Sequence, residues 1–282
     1  MMYLLLLAAD ALFALQFLFT QKYQKLQGNG ISAVFISMIY SNLINLVIML
    51  AISGFRVEFS LFSLFVSLAY SILCFLCTYA SLKAFATANL SVYSIFMMLG
   101  GMLLPFAFGI LFLNEALTVG KIICVMFIIL SLLLTGEKGE SKNGAYKYYF
   151  AVFLFNGSVG VVSALHQSRL DLAVNSNSFM VLVACWSFAI PLVWYLVKFR
   201  KFPIIPVPII ANLGGSAACN GLGNLFLMIA LTVLPASVQY PIVTGGTMIF
   251  SAIIGLCMKE KLSRKKAISL LAAVIATIMV IL

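Results

Sequence analysis

Leu4-Leu5-Leu6-Leu7 and Leu12-Phe13 enclose a lone carboxylate, Asp10. An ionisable group in the middle of an apolar helix costs about 2.5–3.5 kcal/mol to place in a membrane, so a chain that keeps one pairs it or turns it toward a wet cavity. Two chemistries suit a carboxylate there: exchange of a proton, and attraction of an organic cation. The competing reading is a protonated carboxyl that is hydrogen-bonded for helix packing alone. Other polar side chains recur at helical spacing. Ser37, Ser41 and Asn45 follow i, i+4, i+8, with Asn42 beside them. Tyr70, Cys74, Cys77, Thr78 and Ser81 share a face next to Tyr79, and Ser91, Tyr93 and Ser94 follow them. Ser216, Asn220, Gly223 and Asn224 align, as do Tyr240, Thr244, Thr247 and Ser251, preceded by Gln239. A lipid face does not carry such stripes, because each buried polar group needs a partner. Interhelical hydrogen bonding, worth about 0.6 kcal/mol per bond, would explain any one stripe. Stripes in both halves of the chain favour a shared central cavity. The candidate substrate-binding set is Asp10, Asn42, Asn45, Tyr79, Tyr93, Asn156, Trp186, Asn220, Asn224, Gln239, Tyr240 and Thr244.

These residues must be positioned by helices in lipid. Hydrophobic residues make up 64% of the chain and charged residues 9%, against about 25% charge in a soluble domain. The net charge of +10 comes from short basic clusters between apolar runs, a membrane-flanking pattern that excludes nucleic acid as partner. About 20 apolar residues cross the hydrocarbon. On that rule the spans are Met2 to Gln21, Ile31 to Ser53, Leu61 to Leu82, Asn89 to Leu113 and Thr118 to Thr135. After a polar linker, 136–147, come Tyr148 to Leu170, Ser178 to Val197, Val207 to Thr232, Leu234 to Met258 and Ala267 to Leu282.

Basic residues orient these spans. With the N-terminus outside, the inner loops hold Lys22, Lys25, Lys83, Lys138, Lys142, Lys147, Lys198, Arg200, Lys201, Lys259, Lys261, Arg264, Lys265 and Lys266. The outer loops hold only Arg56, Lys121 and Arg169, so both termini are expected outside. The first run has Lys22 and Lys25 after it and no basic residue before it, the reverse of a cleaved signal peptide; a retained helix is expected.

The chain is also written twice. Asn114-Glu115-Ala116-Leu117-Thr118 returns as Lys259-Glu260-Lys261-Leu262-Ser263, 145 residues later. At the same offset Gly100-Gly101 returns as Gly245-Gly246 and Cys74 as Cys219; Asn156 lies 146 residues after Asp10. Each copy holds five spans, an odd number, so the two must sit inverted in a bilayer. The expected fold is an all-α polytopic membrane protein with ten transmembrane helices in two inverted five-helix repeats, residues 1–135 and 148–282. Gly100, Gly101, Gly245 and Gly246 fall mid-helix, with Pro105 and Pro241 in the same helices; they read as hinges or as points of close helix packing.

Two copies of Glu-x-Leu-Thr/Ser, each opening the last helix of a five-helix half, resemble the drug/metabolite transporter superfamily, in its ten-helix EamA-like branch, over essentially the whole chain. That family places glycines nine and sixteen residues after the Glu. Here Cys124, Ser131, Ser269 and Ala276 stand there, all small. Met102 and Thr247 replace a frequent proline, and Ala9-Asp10-Ala11 takes the place of a tryptophan-glycine pattern. The resemblance implies alternating access, with amino acids, organic cations and other small metabolites as the substrate class. Spans one to four and six to nine would line the cavity, with the fifth and tenth peripheral. Glu115 and Glu260 read as structural, suited to helix N-termini.

Enzyme chemistry finds no constellation. There is one histidine, His166, at a span's outer end beside Arg169 and Asp171, where an interfacial role is expected. Lys83 reads as a snorkelling cation. Cys74, Cys77, Cys124, Cys185, Cys219 and Cys257 lie in apolar runs as packing residues, and neither cofactor nor metal is expected. The expected protein is a secondary transporter of a small organic metabolite. Its partners would be the lipid bilayer and a coupling proton, and it would act as a monomer or homodimer in a prokaryotic plasma membrane. A non-transporting membrane scaffold, or more remotely an integral-membrane enzyme, is the alternative.

Overall fold

The structure, a computed structural model, describes residues 2–27, 30–87, 90–135, 146–202, 207–258 and 264–281. All regular structure among them is helical: α1 (Met2–Gln27), α2 (Ile31–Ile52), α3 (Leu61–Thr87), α4 (Leu90–Phe112), α5 (Val119–Thr135), α6 (Tyr146–Ser168), α7 (Ser176–Phe199), α8 (Val207–Leu231), α9 (Ala236–Cys257) and α10 (Arg264–Ile281). Each coincides with one expected span. The first, third and seventh run several residues further, because a helix does not stop where its apolar stretch does. Eight helices, α1 to α4 and α6 to α9, are long and apolar enough to cross a membrane. The apolar stretches of α5 and α10, Val119–Leu134 and Ala267–Val280, are shorter.

Burial is inverted relative to a water-soluble bundle. Leu4, Val47, Phe65, Leu111 and Val193 are each at least 60% exposed, while Asp10, Ser63, Ser67, His166 and Gln239 are at most 1% exposed. Polar groups gather between helices because only there can they find partners; apolar chains are free to face hydrocarbon.

Helices pack mainly across the two halves of the sequence. α1 lies on α8 and α9, and α6 lies on α3 and α4. α2 lies on α7 and α8, and α7 lies on α2 and α3. α4 meets α9, and α5 meets α10. Replacing each helix by the one five places on returns the same set of pairs. Two of the counterpart pairs run antiparallel. Ser32, at the start of α2, hydrogen-bonds Tyr195 near the end of α7 at 3.2 Å. Gly120, at the start of α5, abuts the Met279 carbonyl at the end of α10. Near the other ends, the Ser131 hydroxyl donates to the Ser269 carbonyl at 2.7 Å and the Ser269 hydroxyl to the Ser131 carbonyl at 2.9 Å. The outer faces of this pair are apolar stripes: Ile122, Met126, Leu130 and Leu133 on α5, and Ile268, Leu271, Ile275 and Ile278 on α10, all exposed.

At the end where the chain was expected to be basic, lysines lie over rings. Lys22 sits over Phe19, Lys83 over Tyr79, Lys147 over Tyr148 and Lys198 over Trp194, at 6.0, 5.7, 5.0 and 4.5 Å from the centroids. Long cationic stems beside aromatic rings suit the bilayer interface.

Candidate functional site

Asp10 stands mid-helix on α1, fully buried against α9. A Cβ built on Gly246 would collide with its Oδ2 and its Cγ, so only glycine leaves room for the carboxyl at this seam. The Thr247 hydroxyl approaches Oδ1 at 3.5 Å, at the limit of a hydrogen bond. Oδ2 has no hydrogen-bond partner among the described residues.

Further along α1 a polar ladder joins it to α8. The Asn220 amide donates to Gln16 Oε1 at 3.1 Å, and Thr20 and Ser216 share a hydroxyl bond at 3.0 Å. Between Asp10 and the first rung Phe13 fits against Gly223, and between the two rungs Phe19 fits against Gly215. Gln16 and Thr20 were not among the expected site residues. Their signal was present as an i, i+4 pair matching Ser216 and Asn220 on the antiparallel partner. Asn45 enters the same region from α2; its Oδ1 sits against Gly221 and is buried without a partner among the described residues. Asn42 and Asn224 turn back on their own helices, donating to the Met38 and Asn220 carbonyls.

The remaining expected residues lie in separate places. Asn156 on α6 donates to the Met97 carbonyl of α4 at 2.8 Å and packs on Gly101. Tyr93 is buried and donates to Ser81 Oγ at 2.9 Å. Tyr240 donates to the Gly160 carbonyl at 2.9 Å, tying α9 to α6. Gln239 donates to the Leu227 carbonyl at 2.8 Å, and its Oε1 is buried without a partner among the described residues. Trp186 and Thr244 are half-buried, and Tyr79 is exposed at the helix surface beneath Lys83. The structure thus brings Asp10, Asn45 and Asn220 to the seam of α1, α2, α8 and α9, and leaves Tyr79, Tyr93 and Asn156 outside it.

Among the described residues, two concavities lie beside the interhelical loops. One, of about 450 Å³, is lined by Ser53, Arg56, Val57, Glu58, Asn175 and Asn177. The other, of about 280 Å³, lies between Glu115, Gln167 and the turn before α9. Neither includes a residue of the expected set.

The four glycines expected as hinges or packing points each lie against a side chain or backbone of a neighbouring helix. α4 and α9 stay helical through them and through Pro105 and Pro241. Gly100 faces the Phe153 backbone of α6, and Gly157 faces the Gly100 carbonyl in return. Gly245 faces Thr277 of α10.

Three further residues depart from expectation. His166 is fully buried rather than interfacial. Its ring stacks on Phe179 at 3.7 Å, and Nε2 meets Ser63 Oγ at 2.9 Å. That oxygen already accepts from Ser60 Oγ and from the Val174 amide, and the other ring nitrogen, Nδ1, is buried without a partner among the described residues. Arg169 and Asp171 remain outside in the exposed turn, where the Arg169 hydrogen bond holds the Asp171 carboxyl below the usual carboxylate range. Glu115 does serve a helix N-terminus, but that of α9, not that of its own helix. Its two carboxylate oxygens accept from the Ala236 and Ser237 amides at 2.7 and 2.8 Å. Lys121, counted with the outer-loop cations, lies in the first turn of α5, is buried alongside, and donates to the Ala116 carbonyl and to Ser237 Oγ. Glu260, the repeat partner of Glu115, lies outside the described residues.

No protein-family model and no curated protein matches the chain. Among solved structures, one described simply as the crystal structure of a protein is similar over 96% of this chain and 95% of its own, at 14% identity and a TM-score of 0.74. At that identity the likeness is one of fold: nearly end to end, this chain has the architecture of a solved protein.

Proposed function

We propose that this chain is a secondary transporter of small organic metabolites, amino acids or organic cations, working by alternating access between two inverted five-helix halves. The observation that carries the reading is Asp10, a carboxyl buried mid-helix with one oxygen unpartnered, on a seam between the halves. A membrane helix keeps such a group where it is paired or where it serves a binding site, and an unpartnered oxygen favours the second. The packing pairs that repeat five helices on, and the antiparallel α2/α7 and α5/α10 counterparts, support the inverted arrangement. Ten spans, both termini outside and membership of the EamA-like branch belong to the same proposal, as does a prokaryotic plasma membrane. In it, α1 to α4 and α6 to α9 move against each other, and the packed polar seam around Asp10 is the site closed.

The test is counterflow. Purified protein in liposomes preloaded with unlabelled solute is offered labelled amino acids, nucleosides and quaternary amines in turn. Saturable counterflow of one class is expected. Asp10→Ala should reduce it about tenfold or more, equivalent to about 1.4 kcal/mol lost at the site. Uptake indistinguishable from empty liposomes across all three classes would leave a membrane scaffold as the better account.

A further inference from the structure

The two halves carry matching seams that differ in one functional group. On α6, the Asn156 side chain packs on Gly101 of α4 and its amide donates to the Met97 carbonyl, four residues before that glycine, at 2.8 Å. On α1, the Asp10 side chain packs on Gly246 of α9, the repeat partner of Gly101. Asp10 Oδ2 is the atom against Gly246, as Asn156 Nδ2 is the atom against Gly101. The α9 residue four before Gly246 is Ile242, the repeat partner of Met97. Asn156 therefore presents a permanent N–H donor where Asp10 presents an oxygen. A carboxylate oxygen is acceptor-only; a protonated one is a donor.

We propose that Asp10 is a proton site that latches α1 to α9. With the proton on Oδ2, the carboxyl donates to the backbone of α9 at Ile242, in the manner of Asn156 at Met97. When the proton leaves, two acceptors face each other and the seam loosens, while the Asn156 seam stays held. One half of the molecule thus carries a fixed latch and the other a switchable one. This rests on the transporter reading and names its coupling ion. The surroundings suit a single titrating group. α1 packs on α8 and α9, neither of which contains an acidic or basic residue. Their other titratable groups are Cys219, Tyr240 and Cys257; the Tyr240 hydroxyl is committed to α6, and Cys257 is exposed at the end of α9. The titratable groups of α1 itself, Tyr3, Lys22, Tyr23 and Lys25, lie toward its ends.

The experiment measures thermal stability of the intact protein in detergent as a function of pH, with infrared difference spectra reporting the carboxyl. Wild type should lose stability in a one-proton step as pH rises. Asp10→Asn, which carries the donor permanently, should lack that step and hold the acid-side melting temperature throughout. Asn156→Asp should add a second step, and the exchanged pair Asp10→Asn with Asn156→Asp should restore a single one. Asp10→Asn retaining the wild-type step would overturn the latch, as would Asn156→Asp adding none. The second variant decides the matter even where the first does not fold. Counterflow separates this result from the broader reading. Proton steps without counterflow would keep the latch and remove transport. Counterflow with an unchanged step in Asp10→Asn would keep transport and remove the latch.

Discussion

Glu115→Ala is expected to lower the stability of the purified protein by about 2 kcal/mol, read as a fall in the midpoint of thermal or denaturant unfolding in detergent. The first amides of a helix have no partner inside it, and a carboxylate that takes two of them also sits at the favourable end of the helix dipole. Glu115 reaches α9 because the chain reverses after α4. Asn114 adopts φ 54°, a left-handed conformation that asparagine tolerates better than most residues. The Glu115 amide then returns to the Gly109 carbonyl at 3.1 Å, and its side chain lies against Gly109, where a Cβ would collide. Removing the carboxylate strands the Ala236 and Ser237 amides and leaves Lys121 buried beside them without a neighbouring anion. Glu115→Gln keeps one acceptor and should lose about half as much. An unfolding midpoint unchanged in Glu115→Ala would show that the cap contributes nothing to holding the α4–α5 turn on α9.

Gly100→Ala is expected to be worse still, at about 3 kcal/mol or more, and to appear as loss of monodisperse protein on gel filtration. A Cβ at Gly100 would collide with the Phe153 carbonyl oxygen and stand 2.7 Å from the Phe153 Cα. Those are backbone atoms of α6, so no side-chain rotation relieves the clash; α4 and α6 must separate. Separation would also pull the Asn156 amide from the Met97 carbonyl. Gly214→Ala on α8 is the matched control. Nothing lies within 4 Å of its Cβ position, and alanine gains about 1 kcal/mol of helix propensity over glycine. The two substitutions are chemically identical and should shift the melting temperature in opposite directions. Equal effects would mean that α4 and α6 are not in close contact.

The sequence made the helices legible because membrane burial leaves so strong a mark. Twenty-residue apolar runs bounded by Lys22, Lys83 or Lys198 leave little choice of element. Asp10 and the glycine pairs stood out for the same reason, since neither type belongs in a run of leucines without cause. What the sequence did not reveal is which atoms meet. Glu115 looked like an opener of its own helix, because local spacing cannot display a helix N-terminus that lies 121 residues away. His166 looked interfacial because its neighbours Arg169 and Asp171 are exposed; the ring itself turns inward onto Phe179 and Ser63. Tyr79 shared a run with buried residues, yet helical rotation places it on the outer surface. Gln16 and Thr20 were overlooked because their significance depends on Asn220 and Ser216, two hundred residues on. Each of these is a tertiary relation, fixed only when helices distant in sequence meet.

The joined α5/α10 pair has a consequence for the surrounding lipid. The 17 residues of α5 rise about 26 Å, against a hydrocarbon slab about 30 Å thick. Its outward stripe of Ile122, Met126, Leu130 and Leu133 is therefore shallower than the slab beside it. The same holds for the apolar stretch of α10. Acyl chains on this flank must shorten or splay to meet a low greasy wall, while those beside α1 to α4 meet a tall one. In the transporter proposed above, such a mismatch would be relieved most cheaply where two low walls adjoin, and a bias of this flank toward a second copy is the expected result.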